Sequence, residues 1–229
     1  MIALMSNAYT WDIQYGLNLE ILLKNINVES CGSNLSAQSQ LPSSMSFPWK
    51  PIWKVKVPPR VAFLSWTVTL GKILTIDNLR KRGLIIQEWC CMCKRSGESV
   101  DHLFLHCSVA MELWSMVFGM FGVHWVMPCT VMDLFCTWLG QRGQHSSLLV
   151  WKMIPHCLVW CIWAERNSRL FEDSERSIPD LKLFFFHILF DWVMGLGSFS
   201  IHSVSELIEL CTLWFICPEY TFVCFGPSQ

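Results

Sequence analysis

Cys90 and Cys93 stand in a C-x2-C pair, His102 follows after eight residues, and Cys107 after four more. Two thiolates three positions apart on a tight turn can grip one metal ion together. A His and a Cys from the start of a following helix can complete a tetrahedron. A closed set of sulfur and imidazole ligands favours zinc over harder cations. The run between the ligand pairs, Lys94 to Asp101, is polar and contains Gly97, as a chain reversal requires. The competing reading is buried free thiols, since cysteine is among the most buried residue types and the chain has 12. A His and a Cys at ligand spacing behind a polar loop favour the metal. Two exchanges stay open: Cys91 for Cys90, through a poorer C-x-C chelate, and His106 for His102, one helical turn on.

These ligands need elements to hold them. Leu84 to Trp89 leads into the metal turn. A helix is predicted from about His102 to Phe118, because Leu103, Cys107, Ala110, Trp114 and Val117 form one apolar stripe. Cys107 then sits on the buried face, so the metal would be structural. Upstream, Pro51 limits any helix in Phe47 to Val57. Pro58-Pro59 starts a buried helix over Arg60 to Leu70, with Gly71 at its end. Thr75 caps Ile76 to Arg82, which stops at Gly83. Downstream, Leu113 to Met132 carries no charged residue over 20 positions. Gly119, Gly122, His124 and Pro128 and the lack of basic flanks favour two buried helices over a membrane span. Ser147 caps Leu148 to Leu170, with a bend expected at Pro155 and Leu148, Trp151, Leu158, Ile162 and Glu165 in register. Glu165-Arg166-Asn167 is expected as a salt-bridged surface. A last helix covers Asp180 to Met194. The fold class is mainly α: a small zinc-stapled helical module followed by further amphipathic helices. The expected divisions are 1–46, an N-terminal segment (a helix over Ala8 to Ile26, then a linker); 47–118, the zinc module; 119–194, a helical extension; and 195–229, a tail whose alternating residues near 211 to 225 read as either a strand or a disordered end.

The 229 residues are 52% hydrophobic and only 15% charged, with 13 Trp and 15 Phe. That supplies a core and excludes a disordered chain. The cysteines are not spaced as a disulfide framework, and Asp12 and Glu20 interrupt any leader-like opening. A reducing, intracellular compartment, nuclear or cytoplasmic, is expected. Cys129, Cys136, Cys157, Cys161, Cys211, Cys217 and Cys224 are expected in the core. Net charge is −1, but residues 47–95 carry +8, against −2 before and −7 after. Lys50, Lys54, Lys56, Arg60, Lys72, Arg80, Lys81 and Arg82 would make a basic face, and Trp53 an indole for a base to stack on. RNA or DNA is the partner this predicts. The bland reading makes Arg80 to Arg82 a helix end favoured by the dipole, and the tryptophans core.

The string Glu98-Ser99-Val100-Asp101-His102-Leu103-Phe104, set behind the C-x2-C pair and before Cys107-Ser108-Val109-Ala110 and Leu113-Trp114, resembles the plant reverse transcriptase zinc-binding domain of LINE-type, non-LTR retroelement polyproteins. The similarity extends upstream through Phe47-Pro48-Trp49-Lys50, Ile52-Trp53-Lys54, Val57-Pro58-Pro59-Arg60, Gly71-Lys72-Ile73-Leu74-Thr75 and Arg82-Gly83. It continues more loosely through Ile162-Trp163-Ala164-Glu165-Arg166-Asn167 and Phe171-Glu172. The resemblance implies a zinc module downstream of a polymerase, with the upstream reverse transcriptase region of a parent polyprotein as a neighbour. The polymerase signature Tyr-x-Asp-Asp is absent, no Asp-Asp pair occurs, and no clustered carboxylates suggest ribonuclease H. The expected function is therefore non-catalytic. The alternative is a zinc-stapled protein-interaction module that packs on a polymerase or on itself.

Overall fold

A computed structural model describes residues 47–124, 126–138, 146–197, 199 and 201–212. The expected N-terminal helix and linker, and all but the first two residues of the strand-like stretch near 211 to 225, lie outside these residues. The described residues fall within one compact unit, Ser46–Gln229. Among them the chain is helical and holds no strand, only an isolated bridge between Trp89 and Gly97.

Prolines and glycines set the first boundaries. Helix α1, Trp49–Trp53, is five residues long. Helix α2, Pro59–Thr69, begins with Pro59 in its first turn, where a missing N–H costs nothing. It ends at Leu70, and Gly71 follows at φ +66°, the left-handed conformation that favours glycine. α2 is buried despite its hydroxyls because Thr67 Oγ1 donates to Phe63 O (2.8 Å) and Thr69 Oγ1 to Ser65 O (2.7 Å). Helix α3, Ile76–Lys81, follows Thr75 at its cap. Thr75 turns its hydroxyl to the Asp77 carboxylate, while Glu98 Oε1 accepts from Ile76 N at 3.1 Å.

The predicted helix from His102 to Phe118 is broken. A π-turn covers His102–His106, Cys107 is extended (φ −62°, ψ 136°), and helix α4 runs Ser108–Phe121. The geometry demands the break. Residues five apart on an α-helix point about 140° away from each other, so one helix cannot aim His102 and Cys107 at the same point. The stripe nevertheless stays inside, with Leu103, Cys107, Ala110, Trp114 and Val117 all buried. Trp114 Nε1 donates to Phe104 O at 2.9 Å and steadies the π-turn. Gly122, left-handed at φ +53°, ends α4, and helix α5 covers Val131–Thr137. The uncharged run 113–132 is thus divided between two helices.

Helix α6, Ser146–Phe171, is the centre of the core. Its Leu148, Val150, Trp151, Met153, Ile154, Cys157, Leu158, Val159, Cys161 and Ile162 are buried. Pro155 lies within it. Proline has no N–H for the carbonyl four residues back, Trp151 O. Trp138 Nε1 donates to that oxygen at 2.9 Å instead, and its ring stacks on Trp151 (centroids 4.3 Å apart, planes 11°). Helices α7, Ile178–Gly195, and α8, Val204–Thr212, complete the bundle. α6 packs on α2, α4, α7, α8 and the π-turn. Leu148–Phe171 is long and apolar enough to cross a membrane by length and composition, and 72% of its most apolar window is buried in this core. Of the cysteines expected in the core, Cys157, Cys161 and Cys211 are buried. Cys136 is half-buried, Cys129 is exposed, and Cys217 and Cys224 lie outside the described residues.

Candidate metal centre

Three local devices bring four side chains to one point. The chain leaves α3 through Gly83 at φ +86° and runs without helix or strand to Trp89. It then folds back on itself: Cys90 N donates to Ser96 O (2.7 Å), Glu98 N to Glu88 O (3.2 Å), and Lys94 N to Cys90 O (2.8 Å). Lys94 takes the left-handed conformation (φ +56°) that closes the turn. Ser99 Oγ accepts from His102 N at 3.1 Å and starts the helical turn bearing the His. Asp101 Oδ1 accepts from Val131 N at 2.8 Å, which fixes that turn against α5. The extended Cys107 then turns its sulfur inward.

Cys90, Cys93, His102 and Cys107 each offer one ligand atom, and all four atoms lie within 4.8 Å of one another. Cys90 Sγ is 3.9 Å from Cys107 Sγ, and Cys93 Sγ is 3.3 Å from His102 Nε2. A tetrahedron with metal–sulfur bonds of about 2.3 Å has sulfur–sulfur edges of about 3.8 Å. A disulfide would need about 2.05 Å. The spacing fits a shared metal and not a covalent bridge. Cys90 and Cys107 are buried, and Cys93 and His102 half-buried, so the site is closed, as structural sites are.

The electrostatics differ from one ligand to the next. The Cys90 thiol donates towards Cys107, and that bond together with burial pushes its pKa far up. Cys107 is lowered by the same bond, and the Val109 and Ala110 amides at the start of α4 lower it further. Burial lowers His102 and favours the neutral imidazole that a metal binds. The two open exchanges find other partners. Cys91 Sγ lies 3.6 Å from Glu98 Oε2 and 3.8 Å from Arg166 O, and burial first, then Glu98, pushes its thiol up to about 12. His106 is exposed, with Nε2 3.1 Å from Cys129 O.

The expected salt-bridged surface at Glu165-Arg166-Asn167 is instead buried, with Glu165 at 0% and Arg166 at 2% exposure. Arg166 donates to Glu98 Oε1 through Nε (3.2 Å) and a terminal nitrogen (2.9 Å), and to Leu74 O (3.3 Å). Glu165 is held by Arg169 and Arg176, each at 2.8 Å. Residues at a helix end read as polar whether they face water or a neighbouring segment. The available signal was Glu165 itself, which continues the buried register of Leu158 and Ile162.

The basic residues form two groups. Lys50, Lys54 and Lys56 are exposed in and just after α1, and Trp53 is half exposed with its ring centroid 6.2 Å from Trp66. Arg60 is half-buried, its guanidinium 5.1 Å over the Trp160 ring. Lys72 is exposed beside Gly71. At the end of α3, Arg80 pairs with Glu88 and Lys81 with Asp77 (3.1 Å), while Arg82 is exposed.

Helices gathered round a closed Cys3His cluster define a metal-stapled module. Residues 31–114 match the family described as zinc-binding in reverse transcriptase, so this segment is similar to the domains of that family. The chain is also similar to a protein from Arabidopsis thaliana named as a putative ribonuclease H protein, with 24% identity over 131 residues. That alignment covers 57% of this chain but only 21% of the relative. No solved structure matches the chain.

Proposed function

We propose that residues 47–118 form a non-catalytic zinc module, with Cys90, Cys93, His102 and Cys107 as the ligands, derived from a LINE-type retroelement polyprotein and binding nucleic acid. The observation that carries the metal assignment is the convergence of the four ligand atoms within 4.8 Å. Three thiolates and an imidazole in a closed site suit zinc. Nucleic-acid contact is supported by the exposed Lys50, Lys54, Lys56, Lys72 and Arg82. These have no ion pair among the described residues, and Trp53 stands among the first three. Arg60, Arg80 and Lys81 belong to the same proposed interface, although each already meets a side chain of this chain.

A filter-binding titration across salt tests it. Removing one lysine or arginine that touches a phosphate lowers the salt slope by about 0.7 to 0.9. Because Arg80 and Lys81 are paired with acids, the triple change Arg80→Ala, Lys81→Ala, Arg82→Ala is expected to lower the slope by about one rather than three. Lys50→Ala with Lys54→Ala should lower it by roughly two. Trp53→Ala should weaken binding by about 1–3 kcal/mol with the slope unchanged. No binding by the folded chain at low salt refutes this reading.

One observation favours a second reading, a protein-interaction module. Leu84, Ile85, Ile86 and Trp89 are exposed within one short irregular segment, Ile85 completely. A contiguous exposed apolar run of this kind marks interaction surfaces. Salt-insensitive binding to a polymerase region, or self-association abolished by Ile85→Ser, would support it over the first.

A further inference from the structure

The family match ends at residue 114, yet the turn that carries Cys90 and Cys93 is gripped by residues of α6, far beyond it. Arg169, a side chain only 6% exposed, donates to Met92 O at 2.9 Å. Met92 O and the Cys93 amide belong to one planar peptide unit. Cys93 is one of the four residues of the cluster. The unit is therefore fixed on one edge by Arg169 and leads directly into a ligand residue on the other. The arginine is itself immobilised: Nε donates to Glu165 Oε1 at 2.8 Å, and a terminal nitrogen meets Glu175 Oε1 at 2.9 Å. Glu175 also accepts from Lys94, the residue after Cys93, at 3.3 Å.

We propose that Arg169 is a positioning residue for the metal turn, acting through the Met92–Cys93 peptide, and that α6 is an integral part of the metal centre. The proposal rests on the metal reading above. Outer partners of this kind orient ligands, and their removal typically weakens metal binding 10- to 100-fold. A flexible C-x2-C turn would otherwise have to order itself at the moment of binding.

The structure provides a matched control. Arg176 holds the other oxygen of Glu165 at 2.8 Å, and its guanidinium is directed there rather than at the turn. Arg169→Met and Arg176→Met each remove one arginine from the same buried glutamate, but only the first releases Met92 O. Zinc affinity of the full chain is measured by competition with a chromophoric chelator, beside the visible spectrum of the cobalt(II) form and a far-ultraviolet melt. Arg169→Met is expected to bind zinc 10- to 100-fold more weakly, with a shifted cobalt spectrum, whereas Arg176→Met keeps wild-type affinity. If Arg169→Met does not fold, Arg169→Lys stands in. It keeps the charge but can serve either Glu165 or Met92 O, not both, and its affinity should fall between the two. Wild-type affinity in the folded Arg169 variant, or equal weakening in Arg176→Met, overturns the proposal while leaving the metal reading intact. A wild-type chain that takes up no zinc overturns both.

Discussion

Arg166→Met is expected to cost the fold about 3–5 kcal/mol, as does removal of one partner from a buried ion pair in general. The side chains of Arg166 and Glu98 are 2% and 0% exposed, so water does not screen them. Glu98 Oε1 accepts from Ile76 N as well as from two nitrogens of Arg166, and Arg166 also reaches Leu74 O and Asn167 Oδ1. One ion pair thus ties the start of α3, the return arm of the metal turn and the end of α6 together. Methionine fills most of the volume but leaves a buried carboxylate with only Ile76 N and the Cys91 thiol as donors. For a unit of this size the destabilisation corresponds to a melting temperature lower by roughly 10 °C or more. Glu98→Gln strands the guanidinium in the same way and should cost a similar amount. The double change Glu98→Gln, Arg166→Met removes both charges and should be clearly more stable than the summed singles imply, with a coupling on the order of 2 kcal/mol. The assay is urea unfolding of all four proteins at one fixed excess of zinc, since bound metal shifts apparent stability. Single changes costing under about 1 kcal/mol, or singles that simply add, would refute the reasoning.

Two further predictions follow from the buried groups. Cys107→Ser should abolish zinc uptake and the helical signal of the π-turn and α4, whereas Cys91→Ser, whose sulfur faces Glu98 outside the cluster, should retain both; equal losses by circular dichroism would mean the ligand choice is wrong. His156 is fully buried, accepts from Ser65 Oγ (2.8 Å) and donates to Pro51 O (3.1 Å), and burial depresses its pKa to about 4. Its open-chain value is about 6.5, so its contribution is whole above that pH and is lost as pH falls towards 4, by up to about 3 kcal/mol. Urea melts between pH 7 and 4 should show that loss, and His156→Gln should flatten it; an unchanged slope in the variant would place the acid sensitivity elsewhere.

The convergence of four ligand atoms was largely legible because ligand spacing is local: Cys90, Cys93, His102 and Cys107 lie within 18 residues and share one polar loop. The helix boundaries at Pro59, Gly71, Gly83 and Gly122 were legible because proline and glycine constrain the backbone whatever surrounds them. The break at Cys107 was not, because periodicity registers which residues are buried but not the π-turn that satisfies two ligands five apart. The Glu98–Arg166 clamp was hidden for a different reason. Its members are 68 positions apart, and a charge at a helix end looks the same before and after another segment covers it. The pairing of Arg80 with Glu88 was equally invisible, and it reduces the free positive charge that the basic stretch promised.

The central claim is that this chain closes one zinc ion between the C-x2-C turn and the Cys107 break. X-ray absorption at the zinc edge, on the 229-residue chain purified without added metal, tests it most directly. The account predicts one zinc per chain in a four-coordinate shell, with three sulfurs at about 2.3 Å and one nitrogen at about 2.0–2.1 Å. Well under one zinc per chain with freely alkylated thiols, or a first shell dominated by oxygen, would contradict it.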